Sequence, residues 1–231
     1  MPQTSRSLSL TVIGLGQMGG NMALTLKAAG FAVTGTDVFD AARTKLASLG
    51  LNVVTPDALP ASDVYLLSLP TSAHVREVLE TSPGLLARAP RGSVIVDTST
   101  SDPAVSRELA EKVMAAGLHW LDAPVSGGPK GAASGKLGML LGGDDATIER
   151  VMPMLKAMSA KCTHVGGPGS GHVVKLANNY LCAAHLITTA EAVAMAAQAG
   201  NTKPLDTIYA NEHMNMALFF PSEIKQGIVG N

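Results

Sequence analysis

The glycines at positions 14, 16 and 19 constrain the fold more than any other feature of the sequence. They have the spacing GxGxxG, directly after the apolar run LSLTVI at 8–13 and before a helical pattern. In such a unit the first glycine permits a tight turn, the second lets the backbone approach a phosphate, and the third lets the helix pack closely on the strand. The amides and the dipole at the helix N-terminus favour an anion. We therefore predict a strand, a turn and a helix that hold a dinucleotide pyrophosphate. The predicted contacts are Gly14, Leu15, Gly16, Gln17, Met18 and Gly19.

The end of the second predicted strand indicates which dinucleotide binds. Residues 31–36 form a second predicted strand, which ends in Asp37. A carboxylate at this position accepts hydrogen bonds from both ribose hydroxyls of an adenosine and repels a 2′-phosphate. We expect NAD as the cofactor, while NADP stays open because Arg43 lies a few residues further on. A solvated helix face is the alternative role for Arg43, and a βαβ unit that binds no ligand is the alternative for the whole segment.

The charge balance and the cysteines exclude several classes of function. The chain has 231 residues, with 17 lysines and arginines against 18 aspartates and glutamates, and it lacks a dense basic block. Nucleic acid and acidic membranes are therefore not expected as partners. Cys162 and Cys182 lack the spacing of a zinc site, so we expect free thiols and no metal. The N-terminal segment lacks the apolar core of a secretory signal, which favours a cytoplasmic protein.

Strand-like and helix-like segments alternate up to residue 165. After Asp37 the pattern predicts strands at 51–54, 63–69, 94–96, 118–121, 137–141 and 163–165. This alternation is typical of an α/β, Rossmann-type fold with a doubly wound and mainly parallel sheet. Ligands of such sheets bind beyond the carboxyl ends of the strands, so the loop at 69–74 should lie near the cofactor. Thr100 follows another strand and could donate a hydrogen bond to the cofactor; the alternative is that the hydroxyls there only cap the next helix.

Two later segments indicate a bound substrate. The sequence SGG at 126–128 presents successive backbone amides with little side-chain bulk, a geometry that binds a carboxylate, and a flexible turn is the alternative. Lys175 lies in the first turns of a long predicted helix. If its face lines a cleft, partial burial and the positive helix end lower the pKa of the lysine, which then acts as a general acid and base. Asn179 lies four residues further on and shares this face; a solvated lysine is the alternative.

The glycine-rich segment GGPGSG at 166–171 is the clearest domain boundary. We predict a dinucleotide-binding domain over 1–165 and a smaller domain over 166–231 that begins with one long interdomain helix. The apolar part of this helix, residues 181–200, is rich in small residues but contains Glu191. A buried or oligomer-facing helix explains it better than a membrane span.

Five motifs in this order resemble the β-hydroxyacid dehydrogenases. They are IGLGQMGGNMA, LP at 69–70, VDTSTSDP, DAPVSGGPKGA and GSGHVVKLANN, and the resemblance covers about residues 8–205. It implies an NAD(P)-dependent oxidoreductase with a Rossmann domain and an all-helical second domain. The implied substrate is a small hydroxy acid or its semialdehyde, of the 3-hydroxyisobutyrate or tartronate semialdehyde type, and the implied assembly is a homodimer.

The resemblance also implies roles for individual residues. Lys175 matches the catalytic lysine, which protonates the carbonyl oxygen during reduction and deprotonates the alcohol during oxidation. Asn179 matches a second substrate contact. The residues that match the substrate-carboxylate loop are Ser126, Gly127 and Gly128. The residues that match cofactor contacts are Leu69, Pro70, His74 and Thr100.

The end of the chain departs from the family pattern. Residues 211–231 lack the KDL-type segment that the resemblance leads us to expect. We expect a truncation, a shifted reading frame or a natural short form. Two functions therefore compete: a dehydrogenase that uses Lys175, and an NAD-binding protein with little or no catalysis. A 6-phosphogluconate dehydrogenase is a weaker alternative because no cluster of basic residues suits a sugar phosphate.

Overall fold

A nine-stranded sheet with helices packed against it is built from the described part of the chain, residues 8–81 and 84–200 of a computed structural model. The strands are β1 (Ser9–Ile13), β2 (Ala32–Thr36), β3 (Asn52–Val54), β4 (Val64–Leu67), β5 (Val94–Asp97), β6 (His119–Asp122), β7 (Val125–Ser126), β8 (Leu137–Gly142) and β9 (Ser159–Gly166). The helices are α1 (Gln17–Ala28), α2 (Asp40–Ser48), α3 (Ser72–Glu80), α4 (Leu85–Arg88), α5 (Pro103–Ala115), α6 (Gly128–Ala133), α7 (Asp145–Met158) and α8 (Ser170–Gln198), with a short 3-10 helix at Pro56–Ala58. The divergent segment 211–231 lies outside the described residues.

The order of the strands confirms a Rossmann-type, doubly wound sheet. The order is β3-β2-β1-β4-β5-β6-β8-β7, with β9 beside β8. Neighbours from β3 to β6 run parallel, whereas β8 runs antiparallel to β6 and β7. The chain leaves β1 toward β2 on one side and later returns to β4 on the other. This reversal creates the crevice beyond the carboxyl ends of β1 and β4 where such sheets bind their ligands.

Apolar side chains cover both faces of the sheet. Successive residues of β4 belong to different hydrophobic clusters: Leu66 packs in one, and Tyr65 and Leu67 pack in the other. Because side chains alternate between the two faces of a strand, each face requires its own layer of helices. The near-continuous apolar runs of the sequence reflect this burial on both sides.

Several short elements differ from the sequence prediction. Strand β9 is longer than the predicted 163–165 because it pairs with β8 over most of its length. Strand β7 and helix α6 were not predicted, since both are short and lie in a glycine-rich segment. Asp102 and Asp144 cap α5 and α7, each accepting a hydrogen bond from the first turn of its helix.

The chain has two compact units, residues 1–177 and 178–231, and α8 crosses from one to the other. Beyond residue 177 its described side chains are exposed or half-buried, including Tyr180, Leu186 and Met195. The described residues leave this part of α8 exposed, and the buried or oligomer-facing role stays a prediction. By length and composition alone this 29-residue helix could cross a bilayer, but one such helix is weak evidence of a membrane span. The boundary at 165 also stays a prediction.

Candidate active site

The turn between β1 and α1 brings backbone very close to backbone. Gly14 has a φ of +94°, and its N–H donates to the carbonyl oxygen of Thr36 at 2.9 Å. A Cβ on Gly14 would collide with the carbonyl oxygen of Ser68, and a Cβ on Gly19 would collide with that of Gly14. The first and third glycines of the motif are therefore required by the packing of β1, α1 and the end of β4.

The first turn of α1 is suited to bind an anion. Gly16 precedes the helix, and among the described residues no side chain caps it and no acidic side chain lies in its first turn. Gly16 and Gln17 are exposed, Met18 is half-buried and Leu15 is buried. The first amides of a helix lack intrahelical acceptors, and their dipole attracts negative charge. The predicted pyrophosphate contacts thus form an open, electropositive backbone turn.

Asp37 lies against the same turn. One of its carboxylate oxygens, Oδ2, accepts the N–H of Leu15 at 2.7 Å, and Oδ1 accepts the N–H of Phe39 at 2.8 Å. Each oxygen of a carboxylate accepts about two hydrogen bonds, so both still have the capacity to accept a ribose hydroxyl. The exposed apolar side chains of Val38 and Phe39 lie next to this carboxylate in the sequence. The residues therefore fit an adenosine ribose at the end of β2.

Arg43 does not lie on a solvated helix face. Only 16% of its side chain is exposed, and it pairs with Asp40 Oδ1 at 3.0 Å. Its guanidinium also donates to the carbonyl oxygens of Asp37 at 2.6 Å and Val38 at 3.2 Å. The predicted solvated role is wrong because the turn between β2 and α2 presents acceptors that a long cation can reach. Its charge is already matched by Asp40.

The loops that follow β4 and β5 are joined to each other. The N–H of Leu69 donates to Ser99 Oγ at 3.0 Å, and the Thr98 hydroxyl donates to the carbonyl oxygen of Leu67 at 2.6 Å. Thr100 is exposed, whereas the neighbouring hydroxyl residues are buried. Thr100 therefore presents its side chain to solvent from a loop at the carboxyl edge of the sheet.

The hydroxyls of this loop do not cap α5. Asp102 does so, because its carboxylate accepts the N–H of Ala104 at 2.7 Å. The alternative of a purely capping role is thus wrong for Thr100. In the loop after β4, Pro70 is exposed, and His74 is exposed with its Nδ1 at 2.7 Å from Thr71 Oγ1. His74 therefore lies in the first turn of α3, where its ring pairs with the side chain of Thr71.

Lys175 and Ser126, which are 49 residues apart in the sequence, meet at this edge of the sheet. Lys175 Nζ donates to Ser126 Oγ at 2.8 Å. Lys175 is only 8% exposed, so the alternative of a solvated lysine is wrong. Gly127 and Gly128 follow with φ values of +119° and +61°, and both are exposed. Because a left-handed backbone strongly favours glycine, the pair gives a sharply turned loop whose backbone is open to a ligand.

Asn179 belongs to the second compact unit and is exposed. It lies on α8, one helical turn beyond Lys175. Its predicted substrate contact stays a prediction. Among the described residues, no group of histidine, cysteine and acidic side chains is arranged to hold a metal ion.

The sequence interpretation missed a buried polar cluster behind the lysine. Asp97 and Asp122 end the neighbouring strands β5 and β6, are paired in register, and are fully buried together with His172 of α8. Burial raises the pKa of the Asp122 carboxyl above its ordinary value, although hydrogen bonds from the N–H groups of Gly169 and His172 oppose this shift. An acidic residue at the end of each of two adjacent buried strands was the available signal, since such groups require partners.

Sequence families match most of the chain. Residues 9–166 match the family described as the NAD binding domain of 6-phosphogluconate dehydrogenase. Residues 169–205 match the family described as NAD-binding of NADP-dependent 3-hydroxyisobutyrate dehydrogenase. The two matches meet at the glycine-rich segment before α8. The chain therefore has an NAD(P)-binding domain.

Curated proteins and solved structures agree with this result. The chain is 38% identical over 188 residues to the NAD-dependent L-serine dehydrogenase of Pseudomonas aeruginosa, covering 80% of this chain and 63% of that protein. It is 37% identical over 190 residues to human mitochondrial 3-hydroxyisobutyrate dehydrogenase, covering 81% of this chain and 56% of that protein. The chain thus spans less than two thirds of the length of these relatives.

A solved structure covers more of the chain. The 3-hydroxyisobutyrate dehydrogenase of Mycobacterium tuberculosis, determined with L-serine, superposes with a TM-score of 0.82 at 33% identity, over 94% of this chain and 76% of that one. An imine reductase from Myxococcus stipitatus has the same fold at 21% identity and a TM-score of 0.84, covering 96% and 77% of the two chains. With the glycine turn, the buried lysine and these matches, the chain belongs to the β-hydroxyacid dehydrogenase family, among proteins of the 3-hydroxyisobutyrate dehydrogenase type.

Proposed function

We propose that the protein interconverts a small β-hydroxy acid and its semialdehyde with a nicotinamide cofactor, NAD in preference to NADP. The observation that carries this proposal is the buried Lys175 Nζ at 2.8 Å from Ser126 Oγ, beside the open backbone of Gly127 and Gly128. A proton-transferring group and a carboxylate-binding loop then lie together on the domain that binds the dinucleotide.

The named substrates of the relatives support a common chemical pattern. Relatives are named for L-serine, 3-hydroxyisobutyrate and 2-(hydroxymethyl)glutarate. All three molecules have a primary alcohol on the carbon β to a carboxylate, and they differ in the substituent on the carbon between. We therefore propose that Ser126 and the amides at 127–128 hold the carboxylate, and that Lys175 reaches the alcohol oxygen. The rest of the pocket then selects the substituent on the carbon between them.

The residues of the chain have distinct tasks in the proposed reaction. The nicotinamide cofactor supplies the hydride acceptor or donor when it is bound. Asp37 and the β1–α1 turn bind its ribose and pyrophosphate, which fixes where the ring can lie. Lys175 accepts the proton of the alcohol during oxidation and returns one to the carbonyl oxygen during reduction. Ser126 holds the lysine before substrate arrives and donates to the carboxylate afterwards. Asn179 orients the substrate hydroxyl.

Oxidation of a panel of β-hydroxy acids with NAD and with NADP tests the proposal. The panel is L-serine, 3-hydroxyisobutyrate and 2-(hydroxymethyl)glutarate, and reduction of tartronate semialdehyde to glycerate by NADH tests the reductive direction on a further substrate. We expect Lys175→Ala to lower kcat by roughly 10²–10⁴-fold, the usual worth of a positioned acid or base, with little change in NADH affinity. Lys161→Ala, an exposed lysine on β9, is the matched control and should keep full turnover.

The possible outcomes separate the two functions. Unchanged turnover in Lys175→Ala would remove the lysine from the mechanism. Binding of NADH without turnover on any member of the panel would favour an NAD-binding protein with little catalysis. A homodimer and a cytoplasmic location remain further proposals, which light scattering of the purified protein and fractionation of its host cells would test.

A further inference from the structure

A buried carboxylate ties the start of α8 to the end of β6. Asp122 Oδ1 accepts the N–H of Gly169 at 2.7 Å, and Oδ2 accepts the N–H of His172 at 3.2 Å. Asp122 is fully buried. The first amides of a helix have no intrahelical acceptor, so a carboxylate at this position fixes the helix by charge-assisted hydrogen bonds.

The start of α8 also packs directly on the sheet. A Cβ on Gly171 would lie 2.6 Å from the carbonyl oxygen of Leu140 and 2.7 Å from Asp122 Oδ2. Real Cβ atoms do not approach so closely, so no other residue fits without a shift of the helix. The base of α8 therefore rests on β6 and β8 with no room for a side chain between them.

The His172 ring provides a second attachment on the same helical turn. Its Nδ1 lies 3.0 Å from Ser106 Oγ on α5, and its Nε2 lies 3.1 Å from the carbonyl oxygen of Ser99. Because a carbonyl oxygen only accepts, Nε2 carries a proton and donates to it. Nε2 also lies 3.7 Å from Asp97 Oδ2. The fully buried ring thus joins α8 to α5 and to the end of β5.

Both attachments fix the part of α8 that carries Lys175. His172 and Lys175 are three residues apart and so lie on the same side of α8. Asp122 is also followed within a few residues by Ser126, the partner of Lys175. Asp122 therefore links the start of the helix that carries Lys175 to the segment of chain that leads to Ser126.

We infer that Asp122 and His172 are positioning residues, which fix the first turns of α8 on the sheet edge and thereby hold Lys175 Nζ at Ser126. The inference rests on the proposed function for its catalytic consequence, while the placement of the lysine can be measured without turnover. Neither residue needs to touch substrate or cofactor for this role.

Acetylation of the lysines by an N-hydroxysuccinimide ester, followed by peptide mass spectrometry, measures the placement directly. In the wild type Lys175 should react slowly, with the exposed Lys161 as internal reference. Asp122→Asn replaces one of the two accepting carboxylate oxygens by an amide NH₂ group. This donor then faces a backbone N–H, which is also a donor. Losing a hydrogen bond to a charged group should raise the relative rate at Lys175 by roughly tenfold or more.

A matched control and a milder variant make the result interpretable. Asp144→Asn also removes a carboxylate that caps a helix, since Asp144 accepts the N–H of Thr147 at 2.8 Å, but it should leave the rate at Lys175 unchanged. Ser106→Ala deletes only the hydroxyl beside His172 and decides the question if Asp122→Asn does not fold. Unchanged acetylation of Lys175 in folded Asp122→Asn or Ser106→Ala overturns the inference.

Kinetics with the β-hydroxy acid that is turned over test the consequence for catalysis. We expect Asp122→Asn to lower kcat at least tenfold with little change in the KM for NAD, because a displaced lysine affects proton transfer rather than cofactor binding. The double variant Asp122→Asn/Lys175→Ala should be no slower than Lys175→Ala, since a residue that acts only through the lysine has nothing left to lose. Additive losses would instead indicate a general structural role and overturn the inference. An inactive wild type whose variants show faster acetylation would refute the proposed function and leave the placement intact.

Discussion

Replacing Asp37 by alanine separates two roles of one carboxylate. In the structure its oxygens accept the N–H of Leu15 at 2.7 Å and the N–H of Phe39 at 2.8 Å. Leu15 is only 3% exposed, so its N–H would lose its acceptor in a site that water reaches poorly. That loss should lower the free energy of unfolding by about 1–3 kcal/mol. For a domain of this size each kcal/mol lowers Tm by about 2–4 °C, which a thermal melt resolves.

The proposed ribose contact adds a separate loss in cofactor affinity. Hydrogen bonds to a charged acceptor contribute about 1.5–3 kcal/mol each. Two ribose hydroxyls at the low end of this range give about 3 kcal/mol, which corresponds to roughly a hundredfold increase in the Kd of NADH. NADPH loses much less, since the carboxylate repels its 2′-phosphate in the wild type. The Kd of NADPH divided by the Kd of NADH should therefore fall by about two orders of magnitude.

Fluorescence titration of both reduced cofactors provides this ratio for the wild type and the variants. A disordered turn would weaken both cofactors alike, so the ratio isolates the ribose contact from the structural effect. Asp40→Ala is the control, because it removes an exposed carboxylate of the same turn and leaves Asp37 in place. The surface pair with Arg43 contributes little, so the ratio should change by less than about fivefold. A ratio in Asp37→Ala that matches the wild type, or a wild type that prefers NADPH, would refute the reasoning.

Two further predictions concern stability. Gly171→Ala should lower the free energy of unfolding by about 1–3 kcal/mol, the usual cost of overpacking, whereas Gly167→Ala should be close to neutral because a Cβ there meets no atom within 4 Å; a denaturant titration compares them. Hydrogen bonds, first from Arg76 and then from Lys112, lower the pKa of Glu108 from 4.5 to about 2. A carboxyl group whose pKa is lowered by folding stabilises the fold when the pH is above its pKa in the unfolded state. This contribution is lost as the pH falls toward its pKa in the folded state. The Tm deficit of Glu108→Gln should therefore shrink as the pH falls from about pH 5 toward pH 2, and it should also shrink in high salt. A deficit that is constant with pH would contradict the ion pairs as its cause.

The parts of the site that could be predicted from sequence are those set by local pattern. The glycine spacing, the strand before it and Asp37 lie within one βαβ unit, so their relative placement follows from the geometry of that unit. Lys175 and Ser126 are far apart in the sequence, and only the resemblance to a family gave both a place in one site. The contact between them then required the fold, because it depends on where α8 leaves the sheet.

The parts that could not be predicted depend on side-chain reach and on distant partners. Arg43 is long enough either to extend into water or to fold back onto its own turn, and the sequence contains no signal that decides between these. Asp122 receives its donors from residues 47 and 50 positions further along the chain. A sequence pattern shows that a buried carboxylate needs partners, but it does not identify Gly169 and His172. Their identity follows only from the packing of α8 on the sheet.

The order of the strands indicates which way the cofactor lies in the proposed reaction. Asp37 follows β2 and the glycine turn follows β1, whereas Ser126 and Lys175 lie beyond β6. Strands β1, β4 and β5 lie between β2 and β6. At about 4.8 Å between neighbouring strands, the two ends of this edge are about 19 Å apart. An elongated dinucleotide whose pyrophosphate lies on the glycine turn can therefore extend its adenosine to Asp37 and its other end toward Lys175. The reverse orientation would place the nicotinamide ring at β2, far from Lys175, the proposed general acid and base. Under the proposed function, this strand order would therefore bring hydride transfer and proton transfer together at the start of α8.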